Sequence, residues 1–155
     1  MKSKISAVWF YGYVTITGAA VMMLEFTASR LLAPWFGASQ LVWGNVIGVV
    51  LLALSLGYFI GGRLADRWPN PTVLFALTGV AGITSSIIPV LITAIASQLN
   101  ILWLSTGGGA WFTIIGSFIV ICLLLACPIV VLGMVSPYAI RLATSEVEHT
   151  GRIAG

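Results

Sequence analysis

Apolar residues run along this chain in four long blocks, broken by short stretches that hold nearly all of its polar punctuation. The first block extends from about Ile5 to Ala28, the second from Val42 to Gly61 and the third from Thr72 to Ala96. The fourth begins near Trp111 and stays apolar to Ala143. About 20 helical residues cross a bilayer core, so the first three blocks each predict one transmembrane helix. The fourth would be roughly 50 Å long as one straight helix. Its span is placed at 111–137, with kinks expected at Pro128 and Pro137 and the last turns emerging into the cytoplasm. The predicted fold is all-α: a polytopic membrane bundle of four transmembrane helices.

Composition removes the soluble alternative. The 155 residues are 59% hydrophobic and 7% charged, against about 25% charged in an ordinary soluble domain. Lipid must solvate most of the surface. A secretory signal peptide at the N-terminus is set aside, because the apolar stretch continues through Val21–Leu24 without a break.

The formal charge of +3 does not point to nucleic acid. The basic residues Lys2, Lys4, Arg30, Arg63, Arg67, Arg141 and Arg152 stand singly or in pairs between apolar blocks, not clustered on one face. They read as a topology signal. Lys2 and Lys4 precede span one, Arg63 and Arg67 separate spans two and three, and Arg141 and Arg152 follow span four. Ser97–Ala110, read as an external loop, carries no charge. The positive-inside bias therefore predicts a cell-membrane protein with both termini cytoplasmic. Trp9, Trp35, Trp43, Trp68, Trp103 and Trp111 all fall near predicted span ends, where amphipathic rings prefer to lie.

Helical angle sorts two spans by side-chain size. In span three, Gly79, Gly82, Ser85, Ser86, Pro89 and Thr93 share one arc, which is expected to face partners. Leu77, Val80, Ile87, Ile88, Leu91 and Ile95 lie opposite and are expected to face lipid. In span two, Gly44, Gly48, Ser55 and Gly62 share one face, and Ala53, Gly57 and Gly61 the other. Both Gly44–Gly48 and Gly57–Gly61 are GxxxG spacings, so span two is expected to pack on both sides at the centre of the bundle.

Little polar chemistry remains. Glu25 is the one acidic residue inside a span. It shares a helical face with Gly18, Met22 and Ser29 and is expected to point into the bundle. Such a group is either a proton- or cation-binding carboxylate or a hydrogen-bonding tie between helices, and both readings stay open. Arg30 lies about 140° around the helix from Glu25. Its expected contact is therefore with another helix or with the Pro34–Ser39 turn. Gly61-Gly62-Arg63-Leu64-Ala65-Asp66-Arg67 ends span two, with Asp66 expected to cap the helix or pair with its basic neighbours. Cys122 and Cys127 lack a metal-site spacing and read as plain thiols. No metal or other cofactor is expected.

The ordered segments Gly18-Ala19-Ala20, Leu24-Glu25, Arg30-Leu31-Leu32 and Phe36-Gly37-Ala38-Ser39, followed by Leu52–Gly57 and Gly61–Arg67, resemble the membrane domain of fused transporter-like/spermidine synthase-like proteins. Gly133-Met134-Val135-Ser136-Pro137 with Arg141, and Gly151–Gly155, are similar to that family's later segment. The Gly62–Arg67 turn also resembles the loop between the second and third helices of major facilitator transporters, with Trp68-Pro69-Asn70-Pro71 in place of that motif's trailing glycine and basic residues. The resemblance implies a transporter-like module related to polyamines or other small organic cations. In the family a soluble aminopropyltransferase-like domain follows. That domain is expected to be absent here, because Gly107-Gly108-Gly109 opens another span instead of following a strand. No enzymatic activity is expected. Working partners would be the lipid bilayer, further helices or a homo-oligomer, and, on the alternative reading, a separately encoded synthase-like enzyme anchored by this chain.

Overall fold

A computed structural model describes the backbone of residues 7–106 and 109–154, and the side chains of 11–95, 97, 98, 101 and 109–143. It contains four helices: α1 (Ala7–Phe36), α2 (Gln40–Arg67), α3 (Pro71–Thr106) and α4 (Ala110–Ala154). In hydrocarbon every backbone polar group must find its partner within the protein, and a helix does this within its own segment. All four are long and apolar enough to span a membrane, over Tyr11–Phe36, Gln40–Arg67, Pro71–Ile95 and Ala110–Ala143.

All four helices outrun the apolar blocks, α2 by continuing from Gly61 to Arg67. α1 continues beyond Ala28 to Phe36, because Leu32 and Phe36 keep the buried register of Ala28 and pack into the core. α3 continues through the segment read as an external loop and stops only at Thr106, ahead of the glycine run. Absence of charge marked that segment as non-cytoplasmic, yet none of its residues from Ser97 to Thr106 is a glycine or proline that would break a helix. α4 runs without interruption through Pro128 and Pro137.

The turns are chemically specified. Gly37 takes φ +78°, a left-handed conformation that glycine adopts without strain, and its N–H donates to the Ala33 carbonyl (3.0 Å). Ser39 then caps α2, its hydroxyl accepting from the Val42 N–H (3.4 Å). Between α2 and α3, the Asn70 side chain accepts from Thr72 N–H (3.0 Å), and Pro71 opens α3 at the one position where a missing N–H costs nothing.

α4 is the central helix, not α2. It packs against all three others, most extensively against α2, and stands between α2 and α3. Half of its most apolar stretch is buried, against a third for α2 and 17% each for α1 and α3. Ser117, Val120, Ile121, Ile129 and Tyr138 are fully enclosed. One of the two glycine faces of α2 explains the close approach. A Cβ at Gly57 would strike the Val130 carbonyl oxygen and lie 2.9 Å from the Gly133 Cα, and one at Gly61 would lie 2.5 Å from the Met134 Cα. The other face, Gly44, Gly48 and Gly62, has nothing within 4 Å. The two-sided packing expected of α2 is therefore one-sided within this chain: α4 offers a matching small residue, Gly133, to the first face, and no helix reaches the second.

The face of α3 is reassigned in part: Val80, Ile87 and Leu91 are exposed as expected, but the small arc is not the buried one. Leu74, Ala81, Ile88 and Ile92 are its buried positions, while Gly79, Gly82, Ser86, Pro89 and Thr93 are exposed. Bulky Ile88 and Ile92 fill space against α4 that smaller residues would leave empty. Of the tryptophans, Trp35, Trp43, Trp68 and Trp111 stand at helix ends, as expected. The side chains of Trp9 and Trp103 lie outside the described residues, as do Lys2, Lys4 and Arg152.

The total surface is 9948 Å², about a third above the roughly 7,500 Å² of a compact soluble protein of this mass. Much of it is large and apolar: Met23, Leu52, Ile83 and Leu123, one from each helix, are each more than 60% exposed. Such a surface belongs in lipid.

Candidate functional site

Three regions concentrate the polar chemistry. At the α2–α3 turn, the phenol of Tyr138 is buried in the angle where α4 passes beneath the turn. Its oxygen accepts from Asn70 N–H (3.0 Å), and its hydroxyl lies within donating distance of the carbonyls of Trp68 and Asn70. One side chain thus adds to the bonds within the turn, where the Asn70 N–H also donates to the Trp68 carbonyl (2.8 Å) and the Val73 N–H to the Asn70 carbonyl (3.0 Å). Beside it, Arg141 Nε donates to Asp66 Oδ1 (3.0 Å) in an exposed ion pair. Asp66 therefore pairs across to α4 and not with Arg63 or Arg67, because α4 brings the Arg141 guanidinium alongside the end of α2. Arg63 instead lies over the Phe59 ring (3.6 Å), and Arg67 over Trp68 (5.3 Å). The Gly61–Arg67 motif expected as a turn is helical, forming the last turns of α2, with the turn itself at 68–70; of its remaining residues, Gly61 is in the α4 interface and Gly62 faces open space.

The second region is a cleft of about 370 Å³ between α1 and α3, floored by Leu132 of α4. Ile16, Thr17, Ala20, Met23, Leu24 and Thr27 form one wall, and Thr78, Ala81, Gly82 and Ser85 the other. A smaller recess of about 40 Å³ shares Leu24, Thr27 and Ser85 and continues toward Leu31 and Pro89. Hydroxyls are its only side-chain polarity; no charged side chain lines either part. At the end nearer the α2–α3 turn, the Tyr13 hydroxyl bonds Thr78 Oγ1 (2.8 Å) and the Leu74 carbonyl (3.2 Å), and its ring meets Phe75 edge-on at 5.6 Å.

The third is Glu25. It sits close to the middle of the Tyr11–Phe36 span and is half-buried. Its face does not turn fully inward: Gly18 and Met22 are exposed and Ser29 is half-buried. Among the described residues, no hydrogen bond or ion pair reaches its carboxyl, and it lines neither part of the cleft. Arg30 is exposed and has no partner among the described residues, so the contact expected with another helix or with the 34–39 turn is not made among them. α1 remains helical past Arg30, which holds the side chain on an outer face away from the turn. Glu25 and Arg30 are not brought together with Gly61–Arg67 at the end of α2; they form separate sites.

Sequence reading missed three contacts: Tyr138 with the turn, Tyr13 with α3, and Asn45, whose amide donates to the Ile114 carbonyl and Ser117 Oγ (2.9 Å each). A polar side chain inside an apolar block is the signal they shared, since such a group needs a partner once out of water. Cys122 and Cys127 are both free thiols. Among the described residues there is no group of three or more potential metal ligands.

This is a transmembrane four-helix bundle. Beyond that class, no protein-family model, no curated protein and no solved structure matches the chain.

Proposed function

We propose that this chain is a transporter-like membrane module of the kind found with spermidine synthase-like proteins, with Glu25 as the group that meets a proton or a small organic cation such as a polyamine. One observation carries the reading. A carboxyl near the middle of a membrane span costs about 2.5–3.5 kcal/mol to place there, and this one has no partner among the described residues to offset that cost. An ionisable group held in hydrocarbon without a structural tie is a candidate for a ligand or proton site. Both ends of the chain would lie in the cytoplasm. Supporting this orientation, Arg63, Arg67 and Arg141 gather at one end of the bundle, where the Asp66–Arg141 pair joins α2 to α4.

Four helices with an open outer surface make an incomplete pathway, so the working unit would include further helices or a second copy. Uptake of labelled polyamine into vesicles carrying the chain tests the proposal. Transport is expected with the native residue and is lost with Glu25→Gln; equal uptake by both would remove Glu25 from the mechanism.

The alternative, an anchoring module for a separately encoded aminopropyltransferase-like enzyme, is favoured by a different feature. α4 continues as helix past the end of its apolar block at Ala143 to Ala154, a projection of roughly 16 Å. Such a stalk suits a docking role. Co-purification of a soluble enzyme with the native chain, lost on truncation after Ala143, is the outcome this alternative expects.

A further inference from the structure

The two sides of α4 are built differently. On the α2 side, backbone meets backbone at Gly57, Gly61 and Gly133, and Tyr138 fastens the turn beyond. On the α1 side, Thr17 to Leu31 of α1 look across open volume toward α3. Lipid tails are as apolar as the side chains of these helices, so no hydrophobic force drives α1 home. Association rests on close packing and hydrogen bonds, and a cleft forfeits the packing term along its length.

α1 is held more closely at its Phe36 end than toward Tyr13, where Thr17 and Val21 sit at the edge of burial, each 9% exposed. Ala28, Leu32 and Phe36 are buried in the core, and the Phe36 ring lies against Gly116, with its Cε1 3.1 Å from where a Cβ would stand. At the far end of the cleft, Tyr13 joins α1 to α3 through Thr78, the Leu74 carbonyl and the Phe75 ring. From Phe36 to Tyr13 is a lever of roughly 35 Å.

We propose that α1 is a movable wall of the α1–α3 cleft, pivoting at its Phe36 end and held against α3 by the Tyr13 hydroxyl. Breaking that contact lets α1 swing away and widens the cleft, while α2 and α4 stay together as one body. The inference does not rest on Glu25 or on any cargo.

The test is distance measurement between paired spin labels in lipid nanodiscs, on a chain with Cys122→Ala and Cys127→Ser. Labels at the outward positions Met22 and Ile83 report α1 against α3, and labels at Leu52 and Leu123 report α2 against α4. A swing of about 10° moves Met22 by roughly 4 Å. Tyr13→Phe is expected to lengthen or broaden the first distance by that order and leave the second unchanged. Thr78→Val, which spares the Leu74 carbonyl as acceptor, is expected to do the same to a smaller degree. Tyr58→Phe, at an exposed tyrosine of α2, is expected to change neither. An unchanged first distance in Tyr13→Phe overturns the proposal. So does a change of equal size in both distances, because α1 would then not move apart from the rest. The readout needs no substrate, so either outcome leaves the uptake test of Glu25 to stand separately.

Discussion

Adding one carbon to α2 at Gly57 or Gly61 is the sharpest perturbation of this bundle. The new methyl of Gly61→Ala would stand 2.5 Å from the Met134 Cα and 2.6 Å from its carbonyl oxygen, and that of Gly57→Ala would meet the Val130 carbonyl. These neighbours are backbone, so no rotamer change relieves the overlap; the helices must part. Restoring an ordinary contact of about 3.5 Å requires a separation of roughly 1 Å, which forfeits a quarter to a half of each dispersion contact across the seam. Val42, Val46, Val49, Val50 and Ala53 are the buried side chains of α2 before Gly57. If these five make on the order of 20 atom contacts each, at about 0.1 kcal/mol apiece, the loss is about 2.5–5 kcal/mol. Relaxation and lipid filling reduce it to about 2–3 kcal/mol, within the range for overpacking. Gly44→Ala and Gly48→Ala are the internal controls, since nothing lies within 4 Å of either position; they are expected to change stability by no more than about 0.5 kcal/mol. Reversible unfolding in mixed micelles, followed by tryptophan fluorescence, measures all four. Equal effects at the two pairs of glycines would refute the one-sided packing of α2.

Tyr138→Phe keeps the ring and removes the hydroxyl, leaving the Asn70 N–H only its bond to the Trp68 carbonyl (2.8 Å); a loss of about 0.5–1.5 kcal/mol is expected, with faster hydrogen exchange at the Asn70 amide as the local signature. Asp66→Asn should cost less than about 1 kcal/mol, because its ion pair with Arg141 is exposed, and the difference should shrink further in high salt when unfolding is repeated there. Asn45→Leu removes two hydrogen bonds between α2 and α4 and should destabilise by about 0.5–1.5 kcal/mol in the same micelle assay; an increase in stability would show that the amide is not a tie.

The number and approximate position of the helices were readable because hydrophobic block length alone reports a bilayer crossing. Helix ends were less readable: apolar length locates where lipid ends, whereas a helix continues until chemistry stops it. Gly37 stops α1, and α3 runs to Thr106, in both cases well beyond the last residue assigned to lipid. Packing was legible only by half. Two glycine pairs on α2 have the same spacing, and nothing in α2 itself distinguishes Gly57–Gly61, which meets Gly133, from Gly44–Gly48, which meets no helix of this chain. Distinguishing them requires knowing which helix lies opposite. On α3, the small arc was mistaken for the buried one because Ile88 and Ile92 belong inside for their volume, a property set by the width of the gap to α4. Glu25 stood out at once as a lone carboxylate, but its lack of a partner among the described residues emerged only in three dimensions. Asp66 had two closer cations in sequence and pairs with one 75 positions away.

That the outer surface of this bundle meets hydrocarbon is the proposition on which the rest stands. It is tested most directly with single spin labels at Met23, Leu52, Ile83 and Leu123, in the cysteine-free chain reconstituted into bilayers. The account predicts that relaxation at all four positions is enhanced by molecular oxygen, which concentrates in lipid, and hardly at all by a water-soluble nickel chelate. Strong enhancement by the chelate at these four positions would place them in water and contradict it.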